Sequence, residues 1–362
     1  MKVITLISGG DVGGAKTHVL SLISGIRSSV EVKLVCFREG EFADDARKLG
    51  IDTIVMERNI LSCLKQLKKL IKHEKYDIIH CHGSRGNTIG MLLKRACKIP
   101  VVTTVHSDNR LDYLGRPFGR LVYGNINRFA LRRIKYHIGV SDAMTDILIS
   151  RGYKPSGMYT IYNGLDFEHE IPVVPREEFL KSIGANFPSD AVIVGVAARL
   201  DPVKDLVTLV SAFAKAVKAA PQLRLIIAGE GFQQKALLKS CIEKGVVDKV
   251  HFAGWIGDID SFYASIDINT LTSISETFPY AVTEGARMHL PTVSTRVGGV
   301  PKLIDHGING YLIDAGDVES LATHLTALAL SPKLRKIMGD RIYEKAKRDF
   351  SVQSTCKTQM EI

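Results

Sequence analysis

Residues 2–26 read KVITLISGGDVGGAKTHVLSLISGI, which is a short apolar run, a glycine-rich turn and a longer amphipathic run in succession. The apolar run Val3–Ser8 has the length of a buried strand, and Ala15–Ile26 carries apolar residues at helical spacing. Glycines between two such runs favour a tight turn. The first structural unit is therefore predicted to be a strand, a turn and a helix.

The same alternation continues through the first half of the chain. Strands that alternate with helices are typical of a parallel sheet covered by helices on both faces. The further predicted strands are Val30–Phe37, Thr53–Met56, Asp77–His82, Pro100–Val105 and Tyr136–Val140, and the further predicted helices are Ile60–Lys72, Asn87–Cys97 and Asp142–Ile149.

The alternation breaks over Asn163–Asp190 and then starts again. This stretch contains three prolines and only one short helical piece, near Glu177–Ile183, which is typical of a domain boundary. We therefore expect an α/β protein with two tandem Rossmann-like domains, each a doubly wound parallel sheet, facing across a cleft where ligands bind beyond the carboxyl ends of the strands. The strands predicted for the second domain are Ala191–Ala198, Leu223–Ala228, Val250–Ala253, Ile266–Leu271, Thr292–Thr295 and Gly310–Ile313.

The composition excludes several classes of protein. Of the 362 residues, 45% are hydrophobic and 24% are charged, which excludes a disordered chain. No apolar run reaches the ~18 residues of a membrane-spanning helix, and the opening apolar run is too short for a signal peptide. The six cysteines are scattered and form neither a disulfide framework nor a CxxC site. We expect a cytoplasmic protein.

The positive charge lies in the first half of the chain. Residues 1–165 contain 26 Lys and Arg against 14 Asp and Glu, whereas the remainder contains 22 against 24. An excess of this size favours an anionic partner for the first half, such as a membrane surface or nucleic acid.

The glycine loop that contains Gly13 and Gly14 follows the first predicted strand. Glycine lets a backbone approach a phosphate or a sugar, and the helix start supplies free N–H groups. A simple tight turn explains the same residues equally well. The G-x-G-x-x-G spacing of a dinucleotide site is absent, which leaves an NADP oxidoreductase as the weakest alternative.

Two further motifs lie where strands of the second domain end. Arg199 and Lys204 follow its first strand, and two cations there suit a departing nucleotide diphosphate. Taken by itself, such a pair is better explained by a solvated loop that happens to hold an arginine and a lysine. Gly229 and Gly231 form another glycine loop at a strand end.

The stretch 276–284, ETFPYAVTE, is the most informative. Pro279 suits the first position of a helix, so Glu276 lies in the loop before that helix and Glu284 in its second turn. Carboxylates at these places can accept hydrogen bonds from the hydroxyls of a sugar and a ribose. A favourable interaction with the helix dipole explains one of the two glutamates more easily than both.

Histidines and acidic residues also stand at strand ends. His106 follows a predicted strand and is expected to face the cleft, whereas His80 and His82 are interpreted as structural. Asp258-Ile259-Asp260 matches the D-x-D of metal-dependent sugar transferases, but it precedes a short helix and is better interpreted as a helix cap. No metal site is predicted.

Taken together, these motifs resemble the retaining glycosyltransferases of family 4, which have the GT-B fold. The resemblance covers nearly the whole chain. The most specific element is the pair Glu276 and Glu284, with Phe278 and Pro279 between them. Weaker elements are the glycine loops, His106, Arg199 with Lys204, Tyr162-Asn163-Gly164-Leu165-Asp166 and Asp305-His306-Gly307-Ile308-Asn309-Gly310.

The resemblance implies roles for the matching residues. Arg199 and Lys204 would hold the donor diphosphate, Glu276 the transferred sugar and Glu284 the ribose, while His106 would lie near the reacting carbon. It also implies that the donor is a nucleotide sugar, with UDP favoured by family frequency, and that no metal or other cofactor is required. The other positions expected to bind the donor are Gly13, Gly14, Gly229, Gly231, Phe278 and Pro279.

The resemblance also assigns the domains and partners. Residues 1–165 would form the acceptor-side domain, 166–350 the donor-binding domain, and 351–362 the start of a helix that returns to the first domain. Relatives that act on polysaccharide, glycolipid or lipid-linked acceptors dock on anionic membranes through the basic half. We therefore expect peripheral binding to the inner face of the cell membrane. The arginine-rich segment that supports this is Arg110, Arg116, Arg120, Arg128, Arg132, Arg133 and Lys135, interleaved with Tyr113, Phe118 and Tyr123.

Two other functions stay open on the sequence alone. A sugar-nucleotide epimerase of the same fold would share the donor motifs. A nucleic-acid-binding protein would explain the basic half, although no nucleic-acid-binding motif is present.

Overall fold

The structure is a computed structural model, and it describes residues 1–10, 13–56, 59–108 and 124–362. The chain divides into two units. Unit 1 comprises Met1–Gly164 together with Val352–Ile362, and unit 2 comprises Leu165–Ser351.

Unit 1 contains a parallel sheet whose described strands run in the order β3-β2-β1-β4-β5-β6-β7. The chain starts in the middle of the sheet, adds strands on one side, and then crosses to the other side, which makes it doubly wound. Its strands are β1 Lys2–Ile7, β2 Glu31–Cys36, β3 Thr53–Val55, β4 Ile78–His82, β5 Val101–Val105, β6 Tyr136–Gly139 and β7 Met158–Thr160.

Helices cover both faces of this sheet. Ile4, Leu6 and Ile79 on the strands are completely buried, as the continuous apolar runs of the sequence predict. The described helices are α1 Gly14–Ile26, α2 Glu41–Lys48, α3 Ile60–Glu74, α4 Gly83–Cys97, α5 Asn125–Arg133, α6 Asp142–Ser150 and, from the end of the chain, α15 Val352–Glu361.

The terminal helix α15 packs on α1. A Cβ atom at Gly25 of α1 would lie 2.3 Å from the Sγ atom of Cys356, so only glycine allows the two helices to come this close. The Thr355 hydroxyl donates a hydrogen bond to the Tyr162 carbonyl oxygen over 3.0 Å. Residues from the far end of the sequence therefore complete unit 1.

Unit 2 repeats the same topology, with strands in the order β10-β9-β8-β11-β12-β13 and every pairing parallel. The predicted fold class, with two doubly wound parallel sheets, is confirmed. Its strands are β8 Val192–Ala197, β9 Leu223–Ala228, β10 Val250–Gly254, β11 Ile268–Leu271, β12 Thr292–Thr295 and β13 Gly310–Ile313.

The core of unit 2 lies between this sheet and its helices. On one face, Val194 of β8 and Leu225 of β9 share a buried cluster with Leu209 and Phe213 of a long apolar helix. The helices are α7 Arg176–Ser182, α8 Leu206–Ala219, α9 Gln234–Glu243, α10 Ile259–Ala264, α11 Tyr280–Arg287, α12 Val300–Leu303, α13 Val318–Leu330 and α14 Pro332–Asp349.

The structure differs from the sequence predictions at a few elements. The strand β7 and the helices α2 and α5 were not predicted, and α4 begins at Gly83 rather than at Asn87. Both missed helices are short and mostly polar, so their apolar residues repeat too few times to mark a helical period. No helix in the described ranges combines the length and apolarity needed to cross a membrane.

Candidate active site

In unit 2 the chain order reverses between the neighbouring strands β8 and β11, where a doubly wound sheet leaves a crevice. The loops that follow these two strands are bonded to each other. The Thr272 hydroxyl donates to the Lys204 carbonyl oxygen over 2.9 Å, and the Ile274 amide donates to the Val203 carbonyl oxygen over 2.8 Å. These two hydrogen bonds therefore hold the two loops together at the base of the unit 2 crevice.

Lys204 and Glu276 contact each other at the base of this crevice. The Lys204 Nζ atom lies 2.5 Å from Glu276 Oε1, and the Ser273 hydroxyl donates to the same oxygen over 2.6 Å. Their side chains are only 18% and 12% exposed, so water screens this pair less than it screens a surface pair. Lys204 and Glu276, which the sequence analysis assigned to different parts of the donor, are thus in direct contact with each other.

Arg199 is not brought to this pair. Its side chain is 80% exposed, and its guanidinium lies 3.1 Å from the carboxylate of Asp201. No contact joins it to Lys204 or Glu276 among the described residues. A role for Arg199 toward a ligand would require its exposed side chain to turn.

Gly229 and Gly231 lie against the loop after β8. A Cβ atom would lie 2.0 Å from the Ala198 carbonyl oxygen at Gly229, and 2.3 Å from the Leu200 carbonyl oxygen at Gly231. Glycine is therefore required here by the close passage of two protein loops. Donor binding by these two positions stays a prediction.

Phe278 and Pro279 position the start of α11. The Phe278 ring is buried and stacks on Phe350, with ring centroids 4.9 Å apart. Pro279 is the N-cap residue, so the helix begins at Tyr280, one residue later than the sequence predicted. The Phe278 side chain thus anchors the loop that precedes α11.

Glu284 lies on α11, buried near the charged Arg287 and Asp260 and near two tyrosine hydroxyls. Burial raises the pKa of Glu284 to about 7, and the nearby Arg287 opposes that rise. The Tyr263 and Tyr280 hydroxyls lie close enough for the Glu284 charge to raise the pKa of each. The carboxyl group can therefore exist in either protonation state near neutral pH.

The D-x-D residues are engaged within the protein. Asp258 is the N-cap of α10 and accepts a hydrogen bond from the Ser261 amide over 3.1 Å. Asp260 forms an ion pair with Arg287. This geometry agrees with the interpretation of Asp258 as a helix cap. Within the described ranges, no group of three His, Cys, Asp or Glu side chains is arranged to hold a metal ion.

In unit 1 the chain order reverses between β1 and β4, and four histidines gather there. His82 Nδ1 lies 2.9 Å from His106 Nε2, and His80 Nε2 lies 2.8 Å from the Thr104 hydroxyl. The His18 ring of α1 lies edge-on to His106, with centroids 4.9 Å apart. His106 is therefore part of a cluster that the sequence analysis did not predict.

The histidine cluster is uncharged at neutral pH. Burial lowers the pKa of His18 to about 4 and that of His80 to about 3. Burial and the neighbouring rings hold the pKa values of His82 and His106 well below the usual value of 6.5. Neutral imidazoles can donate and accept hydrogen bonds, but they carry no positive charge.

Gly13 and Gly14 stand at the exposed start of α1. Gly13 has φ 73°, a conformation that favours glycine, and a Cβ atom there would meet no atom of the described residues within 4 Å. The glycine is therefore explained by backbone conformation, and the open space leaves room for a ligand. The preceding residues 11–12 lie outside the described residues.

Only part of the arginine-rich segment can be placed. Arg128, Arg132 and Arg133 lie on α5, and Lys135 follows it. The predicted residues that lie outside the described ranges are Arg110, Tyr113, Arg116, Phe118, Arg120 and Tyr123.

Sequence reasoning missed the residues that support the predicted ones. Ser273 holds Glu276, Tyr263 lies beside Glu284, and His18 lies edge-on to His106. His82, interpreted from the sequence as structural with a place near the cleft as the second interpretation, bonds to His106 because β4 ends at His82 and His106 directly follows the neighbouring β5. Ser273 and Tyr263 carry no distinctive spacing.

The comparisons with known proteins agree with this architecture. The family described as Glycosyltransferase Family 4 matches residues 12–169, and the family described as Glycosyl transferases group 1 matches residues 179–345. The chain is 24% identical to UDP-Gal:alpha-D-GlcNAc-diphosphoundecaprenol alpha-1,3-galactosyltransferase of Escherichia coli, over 93% of each chain. It is 26% identical to the putative glycosyltransferase EpsD of Bacillus subtilis, over 89% of this chain and 85% of EpsD.

Solved structures share the fold over the whole chain. HepE of Anabaena, crystallised with UDP, superimposes with a TM-score of 0.84 at 22% identity, covering 100% of this chain and 99% of HepE. The lipopolysaccharide outer core galactosyltransferase WaaB gives a TM-score of 0.75 at 17% identity, covering 100% and 98%. The fold and the site thus define a glycosyltransferase of the GT-B type. The chain belongs to the group 1 glycosyltransferases of family 4.

We expect unit 1 to lose stability as the pH falls from about 6.5 towards 4. The folded-state pKa values of the cluster lie below 6.5, so the unfolded chain takes up protons that the folded unit cannot. Above pH 6.5 the free energy of unfolding has its full value with respect to these groups. Below pH 6.5, each such histidine lowers the free energy of unfolding by about 1.4 kcal/mol per pH unit. Hydrogen exchange of β4 and α1 peptides at pH 7.5 and pH 5, corrected for intrinsic rates, measures this loss.

His80→Asn is the test variant, since it removes one titrating ring. The exposed His73→Asn is the matched control. A pH dependence as steep in His80→Asn as in the wild type would contradict the expectation.

Proposed function

We propose that this enzyme is a retaining hexosyltransferase that moves a sugar from a UDP-sugar to a polysaccharide, glycolipid or lipid-linked acceptor. The observation that carries the proposal is the Lys204–Glu276 pair at the crevice of unit 2, in a chain of this family. The names of the similar proteins support the donor, because HepE was crystallised with UDP and with UDP-glucose, and the Escherichia coli relative is named for UDP-Gal.

Unit 2 would hold the donor. Lys204, with the exposed Arg199, would neutralise the diphosphate and stabilise the charge that develops on it as it leaves. Both contacts to Glu276 use Oε1, so its Oε2 would accept a hydrogen bond from a hydroxyl of the transferred sugar. Glu284, when ionised above a pH of about 7, would accept hydrogen bonds from the ribose.

The transfer step needs no separate protein base in this proposal. The bond between the anomeric carbon and the β-phosphate oxygen breaks, and the acceptor oxygen attacks the same face of that carbon. The acceptor's proton passes to the leaving phosphate. His106 of unit 1 would contact the sugar as a neutral imidazole, since its pKa lies well below 6.5. No metal is required, because the lysine supplies the positive charge.

The membrane part of the proposal is supported by α5. This helix exposes Ile126 and Phe129, which are 44% and 52% exposed, and the Arg133 guanidinium lies 4.6 Å from the centre of the Phe129 ring. Apolar and cationic side chains on one exposed helix suit an anionic lipid surface. We propose that the enzyme binds the inner face of the cell membrane through this helix.

A panel of nucleotides tests the donor. We expect UDP to stabilise the protein in thermal unfolding, and GDP, ADP and NADP to have little effect. A nucleotide at 100 times its dissociation constant adds about 2.7 kcal/mol to the folded state, which is readily measured. Stabilisation by NADP alone would overturn the proposal. Conversion of a UDP-sugar into an isomer without any acceptor would favour an epimerase.

The Lys204–Glu276 pair is tested by Glu276→Gln and Lys204→Met. We expect each variant to lower the rate of sugar transfer by about 10²–10³, because each removes one preorganised electrostatic contact. The matched control is Glu319→Gln, which breaks the exposed pair of Glu319 with Lys215 in the same unit. Transfer and thermal unfolding are measured together, and near-normal transfer by both folded variants would sink the assignment.

Vesicle co-sedimentation tests the membrane surface. We expect the wild type to sediment with phosphatidylglycerol vesicles and to stay in solution with phosphatidylcholine. Phe129→Ser with Arg133→Ser should weaken binding about tenfold, since a surface cation alone contributes about 1 kcal/mol. Leu330→Ser, at an exposed leucine of unit 2, is the control. Equal sedimentation of the double variant would overturn the membrane assignment.

A further inference from the structure

A cavity of about 650 Å³ lies in unit 1 beside His106. Its size is within the usual range of small-molecule sites, about 300–1,000 Å³. His82 and His106 line it from the strand ends, and the helices α5 and α6 line it from the other side. The proposed function assigns a contact with the sugar to His106, but it assigns no ligand to the other residues that line this cavity.

The lining carries an excess of positive charge. Arg128, Arg132 and Arg151 are part of it, and its described lining contains no carboxylate. Arg151 is neutralised by Asp108, with two contacts of 2.8 and 2.5 Å. In the described ranges, Arg128 and Arg132 have no carboxylate at ion-pair distance. Among the residues that the structure describes, no carboxylate therefore compensates these two guanidinium charges.

The pKa of the Tyr153 hydroxyl responds to these charges, so the charges act within the cavity. Burial raises the pKa of the Tyr153 hydroxyl, while Arg128, Arg132 and Arg151 all oppose that rise. Tyr153 itself lines the cavity. All three guanidinium groups thus lie close enough to act on one point of the wall.

The helix α5 is held so that its arginines point in different directions. Asn127 accepts a hydrogen bond from the buried Asn87 over 2.9 Å, which fixes the start of the helix against α4. Arg128 and Arg132, four residues apart, share the face that lines the cavity. Arg133 lies outside the lining and over Phe129.

We propose that this cavity binds a phosphate group carried by the acceptor, as in a sugar 1-phosphate or a diphosphate-linked sugar. The proposal rests on the proposed function, because it names the class of acceptor. Phosphate presents three oxygens and up to two charges, so it can satisfy two guanidinium forks, whereas a carboxylate matches one. The neutral His82 and His106 add hydrogen-bonding groups without adding charge.

Binding measurements on the full chain test this proposal, with saturating UDP present to fill the donor site. The probes are glucose 1-phosphate, methyl glucoside and glucuronate, each titrated by calorimetry. We expect glucose 1-phosphate to bind most tightly and Arg128→Gln with Arg132→Gln to weaken it at least tenfold, since the double variant removes the charge-assisted hydrogen bonds to the phosphate. Arg95→Gln, at an exposed arginine of α4 outside the cavity lining, should bind as the wild type does.

Other outcomes would overturn the proposal. They are a double variant that binds glucose 1-phosphate normally, methyl glucoside that binds as tightly as glucose 1-phosphate, or no binding of glucose 1-phosphate at 10 mM. Glucuronate that binds equally well would indicate an acidic sugar instead.

A prenyl-diphosphate-linked glucose in detergent micelles identifies the source of the phosphate. Tighter binding than glucose 1-phosphate indicates a lipid-linked acceptor, and equal binding indicates a soluble sugar phosphate; both support the phosphate site if they depend on the two arginines. UDP-dependent stabilisation is read in the same samples. Its absence would refute the proposed function, whereas its presence without phosphate selectivity would refute this proposal alone.

Discussion

Parallel strand pairing is the constraint from which the sites of this protein follow. In each unit the carboxyl ends of all paired strands share one edge of the sheet, and the chain order reverses beside the first strand of that unit. A doubly wound sheet leaves a crevice at that reversal. Lys204 and Glu276 follow β8 and β11 beside one such crevice, and His82 of β4 and His106, which follows β5, lie beside the other.

The two crevices differ in electrostatic character. That of unit 2 contains a partly buried lysine–carboxylate pair and a glutamate whose pKa is raised to about 7. That of unit 1 contains four imidazoles that burial keeps neutral. The unit 2 crevice thus presents a charged pair and a titratable carboxyl group, whereas the unit 1 crevice presents hydrogen-bonding groups without charge. The same backbone plan therefore carries two different electrostatic environments, set by the residues at the strand ends.

The sequence predicted the strands of both sheets except β7 to within a few residues, because buried parallel strands are continuous apolar runs. It also predicted Lys204, Glu276, Glu284 and His106 as candidates, since motifs at strand ends are local in sequence. It could not predict that Lys204 and Glu276 touch, because 72 positions separate them and only the sheet order brings them together. The burial of the Phe278 ring was hidden for the same reason, since its partner Phe350 lies far along the chain.

The packing of α15 on α1 bears on how unit 1 folds. Unit 2 is continuous in sequence, whereas unit 1 is built from Met1–Gly164 and Val352–Ile362, which lie on either side of unit 2. The Cys356 side chain lies against Gly25 and against the Leu22 carbonyl oxygen, 334 positions away in sequence. Contacts between residues so far apart carry a large entropic cost of loop closure before they form. The docking of α15 on α1 is therefore expected to be a late and slow step in the folding of unit 1.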